Sequence, residues 1–130
     1  MLKLTYTETG FTLERLAQSP EQLVALRVML AMRVGESICI EPSTAAFLLP
    51  VDLIGISLLE EAAIRERDAI SLCIADADFI EVTLEGTWIS TDVEAENGIF
   101  VTRLSDRTEL LLCKLGQQIV NSATATREMD

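Results

Sequence analysis

Hydrophobic and polar residues alternate over residues 2–16, on either side of a single glycine. Leu2, Leu4 and Tyr6 share one parity, and the alternation resumes after Gly10. A period of two residues is typical of a strand with one covered face, and glycine can adopt the positive φ that a tight turn needs. The pattern therefore predicts a β-hairpin that turns near Gly10.

A helix with an unusually apolar sequence is predicted next. Ser19 suits an N-cap, Pro20 the first helical position, and Gln22 the closing position of a capping box. From Leu23 to Val34, ten of twelve residues are apolar. A helix that is apolar around most of its circumference needs cover on more than one side. This one is too short to span a bilayer, so we expect protein to cover it.

A second hairpin is predicted on the two sides of a proline turn at residues 41–44. Short strands are expected at 38–40 and 44–49. Pro42 occupies the second position of the turn, where its fixed φ suits a type I conformation. Pro50 has no N–H with which to continue the ladder, so the returning strand should end there.

The returning strand of this hairpin is apolar on both faces. Ala46 and Leu48 point one way, and Ala45, Phe47 and Leu49 point the other. A strand with one solvated face would carry polar residues at one parity, so this strand should be covered twice. We expect the preceding helix on one face. On the other we expect a second copy of the chain, since the remaining elements offer little apolar surface.

The rest of the chain predicts two helices and three strands. Ser57 and Glu60 form a candidate capping box for a short helix that ends near Arg67. A last helix should begin at Asp106, with Glu109 helping to cap it, and end near residue 121. The strands are expected at residues 70–74, 80–88 and 99–104, the last after an Asn-Gly turn.

The resulting order, ββ-α-ββ-α-βββ-α, predicts an α+β fold with a largely antiparallel sheet built from hairpins and three helices. No linker or low-complexity segment divides the chain. We therefore expect one domain over residues 1–122, followed by a flexible C-terminal tail at 123–130 that has little to bury.

The charge balance narrows the classes of partner. The chain has 10 basic and 21 acidic residues, a formal net charge of −11. Such acidity disfavours binding to nucleic acid and to anionic lipid, which require clustered Lys and Arg. No run approaches the length of a membrane helix, and the first residues lack the apolar core of a secretory signal. We expect a cytoplasmic protein that binds neither nucleic acid nor membrane.

Several catalytic chemistries are excluded by composition. The chain contains no histidine, so it has no imidazole to act as a general base or to activate a Ser or Cys nucleophile. Its two lysines, Lys3 and Lys114, do not lie in an S-x-x-K motif. The acidic segment at 76–78 lacks the glycine and distal Glu of a calcium loop. We expect no cofactor and no metal site.

Three cysteines are spaced without a C-x-x-C pair. Cys39, Cys73 and Cys113 lie among apolar neighbours. Burial raises the pKa of a thiol and so suppresses the reactive thiolate. An odd number of cysteines also argues against a disulfide scaffold. We predict three unpaired thiols that react slowly.

An acidic stripe follows the strand at 80–88 and the loop after it. The stripe is either a solvated face that protects the sheet against edge pairing or a docking face for a basic protein partner. Trp88, the only tryptophan, suits a core or interface position better than a ligand-stacking one. The stripe consists of Glu81, Glu85, Asp92, Glu94 and Glu96.

Two classes of function remain open. The first is a non-enzymatic interaction, assembly or regulatory module that self-associates, in the simplest case as a homodimer, through Ala45, Phe47, Leu49 and Trp88. It accounts for the apolar strand, the apolar helix and the missing catalytic groups together. The alternative is a small-molecule-binding protein, or an unusual carboxylate-dependent enzyme, with an apolar pocket between helix and sheet.

Overall fold

Helices and strands follow one another in an α+β arrangement, which confirms the predicted fold class. The computed structural model describes residues 1–8, 10–91 and 97–129, with side chains to residue 118. In that part of the chain the elements are β1 (Leu2–Thr7), β2 (Gly10–Arg15), α1 (Pro20–Arg33), β3 (Cys39–Pro50), α2 (Ile56–Arg65), β4 (Ile70–Ile74), β5 (Phe79–Ser90), β6 (Gly98–Thr102) and α3 (Asp106–Met129).

The six strands form one antiparallel sheet in which β5 has three partners. The strand order is β2-β1-β6-β5-β3, and β4 also pairs with β5. Along one edge β5 pairs with β3 over its whole length, from Phe79 opposite Pro50 to Ser90 opposite Cys39. Along its other edge, β5 pairs first with β4 and then, further along the strand, with β6. The strands β2 and β3 therefore lie at the two ends of the sheet.

Alternation along β5 divides the protein into two apolar layers. Val82 and Leu84 point to the inner face, where they join the main core with α2 and α3. Ile89 has the opposite parity and packs on the outer face with Leu23 of α1. The main core is formed by Leu2, Leu4, Ala45, Leu49, Ile56, Leu59, Ile70, Ile80, Val82, Leu84, Phe100, Leu104, Leu112 and Leu115.

The predicted proline turn at residues 41–44 is wrong, because β3 runs without interruption through Pro42. The hydrogen bond from the Glu85 N–H to the Ala69 carbonyl shows that odd positions of β5 turn their backbone toward β4. The backbone N–H and C=O groups of even residues in β5 consequently point toward β3, where they pair with those of odd residues. Pro42 and Pro50 are even residues, whose nitrogen points away from β5, so their missing N–H removes no hydrogen bond from the ladder. One long strand thus replaces the predicted hairpin.

The sheet curls until its two end strands meet over the inner face. The ring of Phe11 on β2 lies 5.5 Å from that of Phe47 on β3, and the ring of Tyr6 lies 5.6 Å from that of Trp88. This curl corrects the expectation that Ala45, Phe47 and Leu49 are left uncovered by their own chain. Ala45 and Leu49 are only 4% and 2% exposed, and Phe47 packs against the core.

The helix ends follow the predictions in part. The capping box of Ser19 and Gln22 is present at α1. The one predicted at Ser57 is not formed, because α2 already begins at Ile56 after Gly55, whose φ is +104°. α3 extends to Met129 rather than ending near residue 121, and the predicted flexibility of its tail stays a prediction. None of the helices described is both long and apolar enough to cross a bilayer.

The backbone parity of β3 can be tested with two neighbouring proline substitutions. Ala45→Pro removes an N–H that faces β5 and should lower the free energy of unfolding by at least about 1–3 kcal/mol. Ala46→Pro removes an N–H that faces away from β5 and should cost much less, as at Pro42 and Pro50. Urea unfolding of the two variants measures the difference. Equal destabilisation by both substitutions would contradict this backbone parity.

Candidate interaction surface

In the described part of the chain, α1 exposes more large apolar side chains than either of the other two helices. Only Leu23 and Ala31 of this helix are buried, and Leu23 packs with Ile89 on the outer face of the sheet. Four large apolar residues of α1 are between 44% and 74% exposed, and Val34 just after the helix is exposed as well. The four are Leu26, Met29, Leu30 and Met32.

The helical period explains why so much of α1 remains exposed. At 100° per residue, Met29 lies on the far side of the helix from Leu23 and Ala31. The sheet can cover only one side of a helix that lies on it. The predicted cover on more than one side is therefore not supplied by the described residues. We name the exposed set Leu26, Met29, Leu30, Met32 and Val34 the α1 patch.

The free edge of β3 is a second uncovered feature, and two prolines limit it. By the backbone parity of this strand, the N–H groups of Thr44, Ala46 and Leu48 point away from β5. Pro42 and Pro50 flank them and offer no N–H to a further strand. A strand from another chain could form only a short hydrogen-bonded ladder with this edge. The edge is therefore partly protected against pairing with another sheet.

The acidic stripe lies on the outer face of the sheet where the structure describes it. Glu81 and Glu85 are exposed, and they alternate with the core residues of β5. Across the strand pair, Glu81 lies opposite Leu48, which is also exposed. Asp92, Glu94 and Glu96 lie outside the described residues. Docking of a basic partner on this stripe stays a prediction.

Trp88 contacts its own chain instead of standing free. Its ring lies over Gly98, where an added Cβ would come within 2.6 Å of the indole. Its other neighbour is Tyr6, whose phenol pKa is raised by burial. Trp88 and Phe47 thus form part of the curled inner face. The predicted interface of Ala45, Phe47, Leu49 and Trp88 is corrected accordingly, and the α1 patch is the better candidate.

A buried carboxylate joins the start of the chain to α3. Glu109 is 1% exposed and accepts hydrogen bonds from Nε of Arg15 at 3.2 Å and from the N–H of Leu104 at 3.0 Å. The amino group of Met1 lies 3.5 Å from the same carboxylate. The sequence pattern assigns Glu109 to a helix cap. The structure gives that role to Ser105, whose Oγ accepts from the Thr108 N–H.

A second carboxylate ties the end of α2 to the start of α3. Glu66 accepts hydrogen bonds from the N–H and Oγ of Ser105, at 2.6 and 3.1 Å, and from the hydroxyl of Thr108. Partial burial acts to raise the pKa of Glu66, but these hydrogen bonds and the charge of Arg65 outweigh it and the pKa is lowered. The carboxylate form is therefore the one that the fold stabilises.

An open groove lies between α2 and α3 and has a cavity volume of about 310 Å³. Glu66 ties one end of this helix pair. At the opposite end, the side-chain amide of Gln118 donates to the Ile54 carbonyl and accepts from the Ile54 N–H. Contacts at both ends show that the two helices run antiparallel. No sequence signal points to this groove, because its two walls are about forty residues apart in the chain. The lining residues are Leu58, Glu61, Ala62, Arg65, Arg107, Thr108, Leu110, Leu111 and Lys114.

The three cysteines are unpaired, as predicted, but they differ in exposure. Cys73 is exposed, whereas Cys39 and Cys113 are half-buried. Burial, with a further contribution from the charge of Glu109, raises the pKa of the Cys113 thiol. The burial assumed for all three is wrong for Cys73, which β4 turns outward from the core, and the slow reaction of the thiols stays a prediction.

These features define a small acidic α+β protein whose exposed surfaces are apolar or charged and whose described residues bring together no group of three metal-ligating side chains. The model of the Alr0857-like family matches residues 1–120, so the chain belongs to that family. No curated protein matches the chain. No solved structure matches it. The family name carries no activity, so its surfaces are the basis on which a function can be proposed.

The Glu66 contacts predict a pH dependence of stability. A carboxyl whose pKa is lowered by folding stabilises the protein above its unfolded pKa, and this contribution is lost as the pH falls through the folded pKa. Glu66→Gln should lower the free energy of unfolding by about 1 kcal/mol or more at neutral pH. The deficit should shrink as the solution is acidified. Urea unfolding over a pH series measures it.

Glu60→Gln is the matched control for this prediction. Glu60 is exposed on the same helix and makes none of the hydrogen bonds that Glu66 makes. Its replacement should change stability little at any pH. A Glu66→Gln deficit that stays constant from neutral to acidic pH would show that the charged form is not the one that the Ser105 and Thr108 contacts stabilise.

The cysteine exposures predict an order of labelling. With iodoacetamide under native conditions, Cys73 should react first and Cys113 much more slowly, because burial of Cys113 suppresses its thiolate. Peptide mass spectrometry over a time course separates the three sites. Labelling in denaturant, where all three should react alike, is the control. Faster reaction at Cys113 than at Cys73 in the native protein would contradict the burial of Cys113.

Proposed function

We propose that this protein is a non-enzymatic cytoplasmic interaction module that self-associates through the α1 patch. The observation that carries the proposal is the outward side of α1, where large apolar side chains remain half to three-quarters exposed. Monomeric proteins seldom expose a contiguous apolar surface of this kind, and such surfaces are typical of protein interfaces. The family match and the charge balance are compatible with this role but do not specify it.

A second copy of the chain is the occupant that the surface favours. An apolar stripe on a helix is complementary to itself, and a two-fold axis places the same stripe on both partners. With on the order of 100 Å² from each side chain of the α1 patch, a symmetric pair would bury roughly 1,000 Å². That area is at the lower limit for a specific interface. Self-association should accordingly be reversible and dependent on concentration.

The α1 patch is preferred over the other exposed surfaces for physical reasons. The β3 edge offers few outward N–H groups between Pro42 and Pro50. The outer face of β5 carries Glu81 and Glu85, which would repel the same face of a second copy. The residues of the α1 patch carry no charge, and Arg33 is the exposed charged residue next to them at the end of the helix. Its methionines also have flexible side chains that adapt to an opposing surface.

A single charge in the α1 patch should separate the two copies. Met29→Glu places a carboxylate where the proposed interface is apolar, and burying that charge costs several kcal/mol even if it pairs with Arg33, four residues later on the helix. We expect the dissociation constant of the pair to rise at least about a hundredfold, since each 1.4 kcal/mol is tenfold. Met29 is exposed in the single chain, so circular dichroism and stability should change little. Light scattering over a concentration series measures the mass.

Ile64→Glu is the matched control, since it introduces the same charge at an exposed apolar residue of α2. It should leave the mass of the assembly unchanged. A wild-type chain that has monomeric mass at millimolar concentration would contradict the proposal. So would equal dissociation by both substitutions, which would reflect net charge and not the α1 patch.

A further inference from the structure

The groove between α2 and α3 concentrates positive charge in a strongly acidic protein. Three of the ten basic residues, Arg65, Arg107 and Lys114, line it, and Glu61 is the single acidic residue that does so. All three bases are exposed. This distribution is the reverse of the chain average, in which acidic residues outnumber basic ones by 21 to 10.

These three bases also lack the ion pairs that other bases of the chain form. Lys3 lies 3.2 Å from Glu14, and Arg15 lies 2.8 Å from Asp106. In the described part of the chain, no carboxylate lies within 4.0 Å of the three charged groups that line the groove. The charge of Arg65 acts at longer range and contributes to lowering the pKa of Glu66. Glu61 in the groove wall and the Glu66 carboxylate beside Arg65 offset part of this positive charge, but neither forms a direct ion pair with the three bases.

The antiparallel helices place the charges at defined ends of the groove. Glu66 binds Ser105 and Thr108, so Arg65 at the end of α2 and Arg107 at the start of α3 lie at the same end. Each wall spans eight residues, from Leu58 to Arg65 and from Arg107 to Lys114, a rise of roughly 10 Å along the helix.

The middle of the groove is apolar. Ala62, Leu110 and Leu111 lie between the two ends, and Leu110 remains 56% exposed. A cavity of about 310 Å³ is at the lower end of the range for small-molecule sites. Two guanidinium groups at one end suit a carboxylate or phosphate, which arginine binds through paired hydrogen bonds. The groove therefore combines an anion-binding end with an apolar floor.

We propose that this groove binds a small amphiphilic anion, a carboxylate or phosphate monoester joined to an apolar body about 10 Å long. The anionic group lies between Arg65 and Arg107, and the apolar body lies along Ala62, Leu110 and Leu111. The site is separate from the α1 patch, since α1 lies on the opposite face of the sheet. The proposal consequently does not depend on self-association.

Titration of the isotope-labelled protein with a series of probes tests the site by backbone amide shifts. Octanoate and octyl phosphate carry both features of the proposed ligand, octan-1-ol lacks the charge, and inorganic phosphate lacks the apolar body. We expect saturable shifts centred on Arg65, Arg107 and Leu111 with the first two probes. The last two should bind at least about tenfold more weakly, since each lacks one of the two interactions.

Charge substitutions then distinguish binding at the groove from a general effect of the protein's net charge. The double variant Arg65→Gln/Arg107→Gln should weaken octanoate binding at least about tenfold, whereas Arg67→Gln/Arg103→Gln removes the same charge outside the groove and should not. Arg67 and Arg103 are exposed, so both variants should fold, which thermal unfolding checks. The probe series on the wild-type protein decides the question even if a variant fails to fold.

Four results would overturn the proposal. They are the absence of saturable shifts with any probe, octan-1-ol binding as tightly as octanoate, octanoate binding unchanged in Arg65→Gln/Arg107→Gln, and equal loss in the two double variants. Vesicles of phosphatidylcholine and phosphatidylglycerol in equal parts form a separate arm. Binding to these vesicles without binding of free octanoate or octyl phosphate would overturn the proposal as well, because the anion would then be recognised only at a lipid surface.

Discussion

The pairing of β5 with three other strands is the constraint on which the rest of the structure depends. β5 holds β3 along one edge and β4 and β6 along the other. Its register therefore determines which residues of the neighbouring strands face inward. Because side chains alternate strictly along a strand, the assignment of Val82 and Leu84 to the inner face sends Ile89 to the outer one. The two helical layers follow from this division.

The inner and outer layers are covered very differently. On the inner face α2, α3 and the curled sheet enclose one continuous core, which the contact of Phe11 with Phe47 closes from the side. On the outer face α1 is the one described helix that packs on the smaller cluster around Ile89 and Val101. A single helix on a sheet has a far side, and in α1 that side carries the exposed side chains of Leu26, Met29 and Met32. The surplus apolar surface is thus a consequence of the architecture and of the sequence of α1 together.

Local signals in the sequence predict much of the fold. The hairpin at Gly10, the capping box at Ser19 and the alternation along β5 each depend on neighbouring residues, and each is present. The local pattern places Pro42 in a turn, whereas an edge strand tolerates proline wherever the N–H would point away from the sheet. Which strand lies at an edge is decided by long-range pairing, and the local pattern does not contain it.

The candidate site is harder to predict, for the same reason. The apolarity of both parities of β3 is evident from the sequence, but the curl that brings Phe11 over Phe47 joins the two ends of the sheet and covers the parity expected to be free. Likewise Arg65 and Arg107 lie at the same end of one groove because Glu66 ties the two helices together there. The excess apolarity of α1 is visible from its composition alone. The exposure of α1 depends on the tertiary fold, because α2 and α3 pack on the inner face of the sheet and leave α1 on the outer face.

The central claim is that the far side of α1 contacts a second copy of the chain. The most direct measurement is an isotope-filtered nuclear Overhauser experiment on a mixture of ¹³C-labelled and unlabelled chains, which detects contacts between copies only. We expect intermolecular contacts from the methyl groups of Leu26, Met29 and Met32. Their absence at millimolar concentration, or intermolecular contacts confined to β3 and the outer face of β5, would contradict the claim.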